Sequence, residues 1–309
     1  MRCTPVCDEH VLIELSLSDF PVSQPGQFLQ VLCRGDEAFA DDYVDWSEDE
    51  LPSLSGKELG AVEAFLRRPL SIADRWETSE GDTRVCLISR SVGTGTRWLE
   101  RLRSGDRLDV TGPLGTGFRI PEEAKPVVLI GGGVGIPPLL YLARRLHALG
   151  RRDVTAAFGV RSRTLLPVSL RESPRTDGQT NACVEYPGGA CYDTLVASDD
   201  GSVGTQGLVA DVVRRWWRGR RDGGGPVTVF ACGPEAMLKA VGGLSRELGW
   251  DCQLCIERQM GCGLGTCLSC AVRVGDSQRP EGWRWALACQ DGPVFERDDL
   301  LDYRVDQRA

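Results

Sequence analysis

Four cysteines constrain this chain more than any other feature. Cys262, Cys267 and Cys270 follow one another with four and then two residues between them, and Cys289 comes after eighteen more. That spacing holds a [2Fe–2S] cluster with four thiolates. The first three sit in a loop, Met260–Cys270, that carries glycines at 261, 263 and 265. Bringing three sulfurs round one centre needs positive φ angles and close backbone approach, which glycine supplies at little steric cost. Backbone N–H groups in such a loop also point at the sulfurs and help set the potential. A zinc site or a disulfide framework is the alternative. Zinc prefers two separate C-x2-4-C pairs, which x4 followed by x2 in a single loop matches less well. A centre of this kind passes single electrons, so the sequence predicts a protein that splits or gathers them.

The chain has 309 residues, enough for two or three domains with full cores. Apolar residues make up 41% and the charges are mixed, as in a soluble globular protein. A net charge of −8 without a basic stripe argues against a nucleic-acid partner. No run approaches the roughly 20 apolar residues that cross a bilayer, so no membrane association is expected. Residues 1–10 lack an apolar signal core, and a cytoplasmic location is expected. In a reducing compartment thirteen cysteines point to metal ligation and buried thiols, not disulfides. Cys252 and Cys255 precede the cluster loop, but four ligands already lie downstream, so both read as structural. Cys3, Cys7, Cys33, Cys86, Cys183 and Cys191 show no ligand spacing.

Along the chain the pattern changes twice. Residues 1–122 read as an all-β unit, an antiparallel β-barrel or a sandwich: Val11–Leu17 and Thr83–Ser89 are strand-length apolar runs, with turn chemistry at Asp19–Gly26 and Arg103–Asp106. An acidic stretch at about 35–60 reads as a solvated insertion, with Tyr43 and Trp46 as the residues that leave room for a partner. Residues 123–249 alternate strand and helix. Pro126–Ile130 is a continuous apolar run, as in a buried parallel strand, and a helical pattern over Leu139–Leu149 stops at Gly150. Asp153–Phe158 and Val227–Ala231 repeat the strand signal, and a helix is expected from Glu235. This alternation predicts a parallel sheet with covering helices. Residues 250–309 form a small cluster domain, with Val294–Phe295 as its expected last strand.

Three glycines, 131–133, stand between a strand and a helix. Small residues there let the backbone reach a pyrophosphate while the helix start supplies the field. The usual G-x-G-x-x-G order is not kept, since Ile136-Pro137-Pro138 follows Gly135, and a plain tight turn is the alternative. In the first unit, an arginine ahead of Pro69 can fork onto a phosphate, and the hydroxyl of Ser71 can reach a ring nitrogen. Gly93–Thr96 and Gly112–Phe118 are glycine-rich and could cradle a second nucleotide or simply turn the chain.

In order, Arg67–Ile72, Gly112–Phe118, Ile130–Pro138, Asp199–Gly204, Phe230–Glu235, Glu257–Cys270 and Cys289–Phe295 resemble the ferredoxin–NADP reductase superfamily. Within it the chain is most similar to the electron-transfer subunits of class B dihydroorotate dehydrogenase. The matches span nearly the whole chain, and the last two are the most specific. The acidic insertion and the stretch from Cys270 to Cys289 are longer than that pattern, and Leu70 stands where many of these reductases carry an aromatic residue.

The resemblance implies FAD between the first two units, NAD(H) beside it as co-substrate, and a [2Fe–2S] cluster feeding the FMN of a separate dihydroorotate dehydrogenase catalytic chain in a heterotetramer. By matching positions, Arg68 holds FAD phosphate, Pro69, Leu70 and Ser71 sit by the isoalloxazine, and Gly93, Gly95 and Thr96 line the FAD phosphate path. Gly132, Gly133 and Gly135 line the NADH path, with Cys232, Gly233 and Pro234 near the nicotinamide. Cys262, Cys267, Cys270 and Cys289 ligate the cluster. Similar subunits serve ferredoxin:NADP oxidoreductases, sulfide dehydrogenases, hydrogenases and sulfite reductases, which is the alternative assignment; a pure electron carrier would leave the nucleotide turns without use. Asp199 and Asp200 follow a strand at the place where such folds contact the adenosine ribose. A carboxylate there favours NADH, and Arg161 and Arg163 compete with it. Leu264, Leu268 and Trp283 form either an exposed partner surface or the small unit's core.

Overall fold

A computed structural model describes residues 1–33, 66–123, 125–220 and 225–304. The acidic stretch, with Tyr43 and Trp46, lies outside the described residues.

Among the described residues the first unit is a six-stranded antiparallel sheet. Its strands are β1 (Arg2–Cys7), β2 (His10–Leu17), β3 (Phe28–Val31), β4 (Arg68–Glu77), β5 (Thr83–Arg90) and β6 (Val110–Leu114), paired in the order β1-β2-β5-β4-β3-β6. The strand spacing is consistent with a barrel or a sandwich; among the described residues β1 and β6 close no pair, and an antiparallel sheet is what the pairing establishes. Alternation sets its two faces. Ile13, Leu15, Leu29, Val31, Val85 and Leu87 point into one core, and Phe28 and Gln30 point the other way. The short helix α1 (Thr94–Glu100) follows β5 and adds Leu99 to that core.

The second unit is a seven-stranded sheet. Strands β7 (Val127–Gly132), β8 (Val154–Val160), β9 (Asp193–Ser198), β10 (Thr205–Gln206), β11 (Thr228–Cys232) and β12 (Asp251–Cys255) are parallel, and β15 (Val294–Glu296) pairs antiparallel with β12. The order is β10-β9-β8-β7-β11-β12-β15. Every residue of β7 and β11 is buried, as the continuous apolar runs require of strands covered on both faces. Helices α2 (Ile136–Ala148), α3 (Val209–Arg218) and α4 (Glu235–Glu247) cover the sheet. Successive connections run from β7 toward β10 on one side and from β11 toward β15 on the other. The sheet therefore reverses its winding between β7 and β11, and ligands of such sheets bind beyond the strand ends at that reversal.

The segment after residue 250 contributes two strands, β12 and β15, to this sheet. Between them it forms the cysteine loop and a hairpin of β13 (Ala271–Gly275) and β14 (Trp283–Leu287). Val272, Val274 and Ala286 turn inward and pack with Cys270 and Cys289.

Specific contacts lock these parts together. Arg144 on α2 pairs with the largely buried Asp74 of β4 at 3.0 Å. Burial raises the Asp74 carboxyl, and the guanidinium pulls it back. The Tyr141 hydroxyl donates to Ser23 O at 2.8 Å. The Gln253 side chain bonds both the N–H and the carbonyl of Arg119, at 2.9 and 2.8 Å.

Candidate functional site

The β4 motif and the β11 turn, 160 residues apart in the chain, face one another. A cavity of about 570 Å³ is walled by Pro69, Leu70 and Ser71 of β4, by Thr96 of α1, and by Cys232 and Cys255 at adjacent strand ends. Phe28 and Met260 extend it toward the cysteine loop. Beyond the other side of the β11 turn lies a second cavity of about 300 Å³, lined by Gly132, Gly133, Pro234, Arg161 and Asp199. Arg90 lines both, its guanidinium fixed by Glu9 at 2.8 Å.

The two adjacent arginines have different roles. Arg67 spends its guanidinium on Asp109, with contacts of 3.0 and 2.9 Å, so it is a structural clamp. Arg68 donates to the carbonyls of Leu66 and Arg67, at 2.7 and 3.3 Å. Its head is thus held by neutral groups and keeps its charge for an anion. Gly93 and Thr96 form a compact turn in which the Thr96 hydroxyl accepts from the N–H groups of Val92 and Gly93, at 2.9 and 3.0 Å. Gly95 is buried in α1.

The glycines of the β7 turn serve two purposes. A Cβ on Gly135 would lie 2.3 Å from the carbonyl of Cys232, so this glycine lets the β7 and β11 turns touch. A Cβ on Gly132 would strike Met237 Sδ at 2.5 Å, and one on Gly233 would meet Met237 Cε at 2.6 Å. Gly133, at φ 52°, has open space before it. The start of α2 is poorer in donors than the sequence suggests, because Pro137 and Pro138 carry no N–H. The helix field remains, and Gly132 and Gly133 supply the close backbone approach.

Gly112–Phe118 has a different role from the nucleotide cradle its composition allows. The Thr116 N–H donates to Gly292 O and the Phe118 N–H to Pro25 O, at 2.6 and 2.8 Å. A Cβ on Gly115 would meet Gly292 O and Pro293 at 2.7 Å. The loop is a joint between the first sheet and the segment ahead of β15.

The cysteine loop folds as its glycines require. Gly263 and Gly265 have φ of 74° and 85°, and Leu268 also adopts a positive φ, 60°. Cys262 Sγ accepts the N–H groups of Leu264 and Cys267, at 3.3 and 3.4 Å. The Ser269 side chain and N–H, bonded to the Cys267 thiol, pull it down to about 6. Burial and a hydrogen bond to Cys270 push the Cys289 thiol up to about 12. Thiols buried side by side ionise only beside a strong positive charge, which a metal centre supplies. Gln290 packs on Gly265 and donates to Leu264 O at 3.0 Å, holding the loop against the strand that carries Cys289. Among the described residues no three of His, Cys, Asp and Glu converge on one point, as the ligands of a single ion do. A [2Fe–2S] centre has no such point, since each iron takes two thiolates. N–H groups on sulfur, glycine clearance and paired thiols all fit that centre.

Cys252 is buried in the main core beside Ser245, and burial pushes it up to about 12. Cys255 is paired in register with Cys232, and the two thiols are hydrogen-bonded. Residues without a sequence signal of their own also line the site. Glu257 opens into the larger cavity, whose walls raise its carboxyl by desolvation. Met237, His10 and Arg90 line the smaller one. Only position links Met237, His10 and Arg90 to the cofactor sites, and nothing in their local sequence gives it; Glu257 opens the motif that ends at Cys270, whose pattern assigns it no role of its own.

Comparison with known proteins agrees with this arrangement. Residues 257–301 match the family model for the iron–sulfur cluster binding domain of dihydroorotate dehydrogenase B. The chain is 32% identical over 277 residues to the dihydroorotate dehydrogenase B (NAD(+)) electron transfer subunit of Caldanaerobacter subterraneus subsp. tengcongensis, covering 90% of this chain and 87% of that one. Identity to the same subunit of Shouchella clausii is 36% over 283 residues, covering 91% and 87%. Among solved structures, the NADH-dependent reduced ferredoxin-NADP oxidoreductase aligns with a TM-score of 0.68 and 25% identity over 97% of this chain and 87% of that chain. An Amycolatopsis cytochrome P450 reductase, at 21% identity and a TM-score of 0.53 over 80% of this chain and 64% of that one, shares the fold. On this similarity, which runs along nearly its whole length, the chain belongs to the electron-transfer subunits of class B dihydroorotate dehydrogenase.

Proposed function

We propose that this chain carries electrons between NAD(H) and the FMN of a dihydroorotate dehydrogenase catalytic chain, by way of FAD and a [2Fe–2S] cluster. The observation that carries this reading is the continuity of the site: one cavity runs from the β4 motif past Cys232 to Met260, at the head of the cysteine loop. When bound, FAD takes a hydride as an electron pair and the cluster passes electrons singly, which is the chemistry of the cofactors themselves.

The residues supply position and field. Arg68 grips the FAD diphosphate; its planar fork suits two phosphate oxygens better than a lysine does. Pro69, Leu70 and Ser71 present an apolar edge and one hydroxyl to the ring system. Gly93, Gly95 and Thr96 turn the chain beside the phosphates. Gly132 and Gly133 admit the NADH pyrophosphate, Gly135 seats the β11 turn, and Cys232, Gly233 and Pro234 border the nicotinamide. Asp199 lines the same cavity and accepts from the ribose hydroxyls, whereas the Asp200 carboxylate is engaged by Ser202 at 2.6 Å. Cys262, Cys267, Cys270 and Cys289 hold the cluster. We assign residues 1–122 to a closed β-barrel that binds FAD, 123–249 to the NAD unit and 250–309 to the cluster unit, in a cytoplasmic heterotetramer with two catalytic chains. Among the described residues no helix is long and apolar enough to cross a membrane.

Purified alone, the chain should reduce an artificial acceptor with NADH and leave dihydroorotate untouched. Coexpressed with a dihydroorotate dehydrogenase catalytic chain, it should form a complex in which dihydroorotate reduces NAD. Oxidation of dihydroorotate by the chain alone, or no complex with that partner, overturns the assignment. Its likeness to the ferredoxin-linked oxidoreductase makes ferredoxin the second acceptor to assay.

A further inference from the structure

Gln30 lies in the middle of β3 and is 0% exposed. Neither its Oε1 nor its Nε2 has a hydrogen-bond partner among the described residues. Buried amides are nearly always satisfied, so an orphan of this kind asks what it serves. Strand alternation places its side chain on the same face as Phe28, which lines the larger cavity and packs in one cluster with Cys270 and Cys289. The main chain of Gln30 pairs with Pro69 in the β4 motif.

The amide ends at the cysteine loop. A Cβ added to Gly263 would fall 2.5 Å from Gln30 Nε2 and 2.6 Å from its Cγ. Gly263 follows Cys262 directly, with φ 74°, so the loop passes over the amide with no side chain between them. The neighbouring loop groups are already committed: the Leu264 N–H bonds Cys262 Sγ, and Leu264 O accepts from Gln290. The group left without a partner is thus an amide with two N–H donors on the flavin side; beyond the loop lie sulfurs that gain charge on reduction and have room for a further donor beside the N–H groups that Cys262 Sγ already accepts.

We propose that the Gln30 side-chain amide donates a hydrogen bond to a sulfur of the iron–sulfur centre, from the strand that also borders the flavin cavity. The inference rests on the cluster reading above and names a residue outside the cysteine loop that sets its potential. A donor aimed at sulfur favours the more negative, reduced state and raises the potential. The same contact fixes the cluster loop against the flavin sheet.

The test compares the full-length holoprotein with Gln30→Met, which keeps the length of the side chain and removes the donor. Iron, sulfide and FAD contents are measured first. The cluster potential then follows from redox titration monitored by electron paramagnetic resonance. The variant should keep its cofactors while its cluster potential falls by about 59 mV, a tenfold change in a one-electron equilibrium. A filler residue with no bond to sulfur would leave the potential and g-values unchanged, which overturns the proposal. A shift in the flavin spectrum with an unchanged cluster places the amide on the flavin and also overturns it. Where Gln30→Met does not load iron, wild-type protein and Gln290→Met, both carrying side-chain 15N-glutamine, decide: a 15N hyperfine coupling to the reduced centre that persists in Gln290→Met supports the bond, and a coupling absent from the wild type or lost with Gln290 refutes it. Iron-free wild-type protein would sink the cluster reading itself, and this inference with it.

Discussion

At the residue scale, the thirteen cysteines divide by what surrounds each sulfur. Cys262 collects two backbone N–H groups, while Cys252 lies in apolar packing beside Ser245. Serine replacement should therefore act oppositely at the two kinds of position. Cys267→Ser should lose most of the bound iron and the visible absorption of the cluster while FAD remains. Cys252→Ser should keep both and lose about 1 kcal/mol of stability, the usual order for a polar atom placed in a core with one partner at hand. Iron assay and thermal unfolding check this; full iron in Cys267→Ser contradicts the ligand set. The spacing suggests this division, because three of the four expected ligands lie in one loop. It gave no sign of Gln30, about 230 residues upstream, or of Arg90 and Met237. Their roles depend on chain crossings that a one-dimensional pattern does not contain.

At the element scale, the strand–helix units could be read from apolar runs, since strands covered on both faces have no polar side to show. The sheet's reversal between β7 and β11 could not be read, because strand order is a property of three dimensions. The Gly112–Phe118 loop shows the limit best. Its glycines answer to Gly292, Pro293 and Gln24, which its own sequence cannot announce. The end of β9 carries a prediction. Asp199 donates its N–H to Val160 O, which sets this residue at the lip of the smaller cavity together with Arg161. A carboxylate in that place favours ribose hydroxyls and repels a 2′-phosphate, while an arginine attracts one. The wild type should prefer NADH, and Asp199→Asn should cut the ratio of kcat/KM for NADH over NADPH about tenfold, or roughly 1.4 kcal/mol of discrimination. Steady-state diaphorase assays with both nucleotides measure it. An unchanged ratio would assign the choice to Arg161.

At the scale of the whole molecule, the cluster loop lies between the flavin cavity and open surface. Leu264 and Leu268 are 53% and 61% exposed, and Trp285, on the adjoining hairpin, is 60% exposed. Trp283 is half-buried and stacks edge-on against Trp285 at 5.3 Å. Of the two readings open for these residues, the leucines fit the surface one and Trp283 is shared, while Trp285 adds an exposed ring on the hairpin that follows the loop. Leu268 bears a positive φ within the loop, so its exposure is built into the fold of the cluster site rather than left to side-chain motion. Exposed apolar residues grouped on a redox loop mark a contact surface, and aromatic residues dominate the binding energy of such surfaces. An acceptor docked there meets the loop that carries Cys262, Cys267 and Cys270. Trp285→Glu and Leu268→Glu should each weaken association with the catalytic chain at least tenfold, because a charge is buried without a partner at the centre of the contact. Iron, FAD and NADH diaphorase turnover of the isolated subunit should stay at wild-type levels, since neither side chain lines the flavin cavity. Size-exclusion chromatography with the partner, beside the diaphorase assay, separates the two effects. Wild-type affinity in both variants would move the docking surface to another face of the protein.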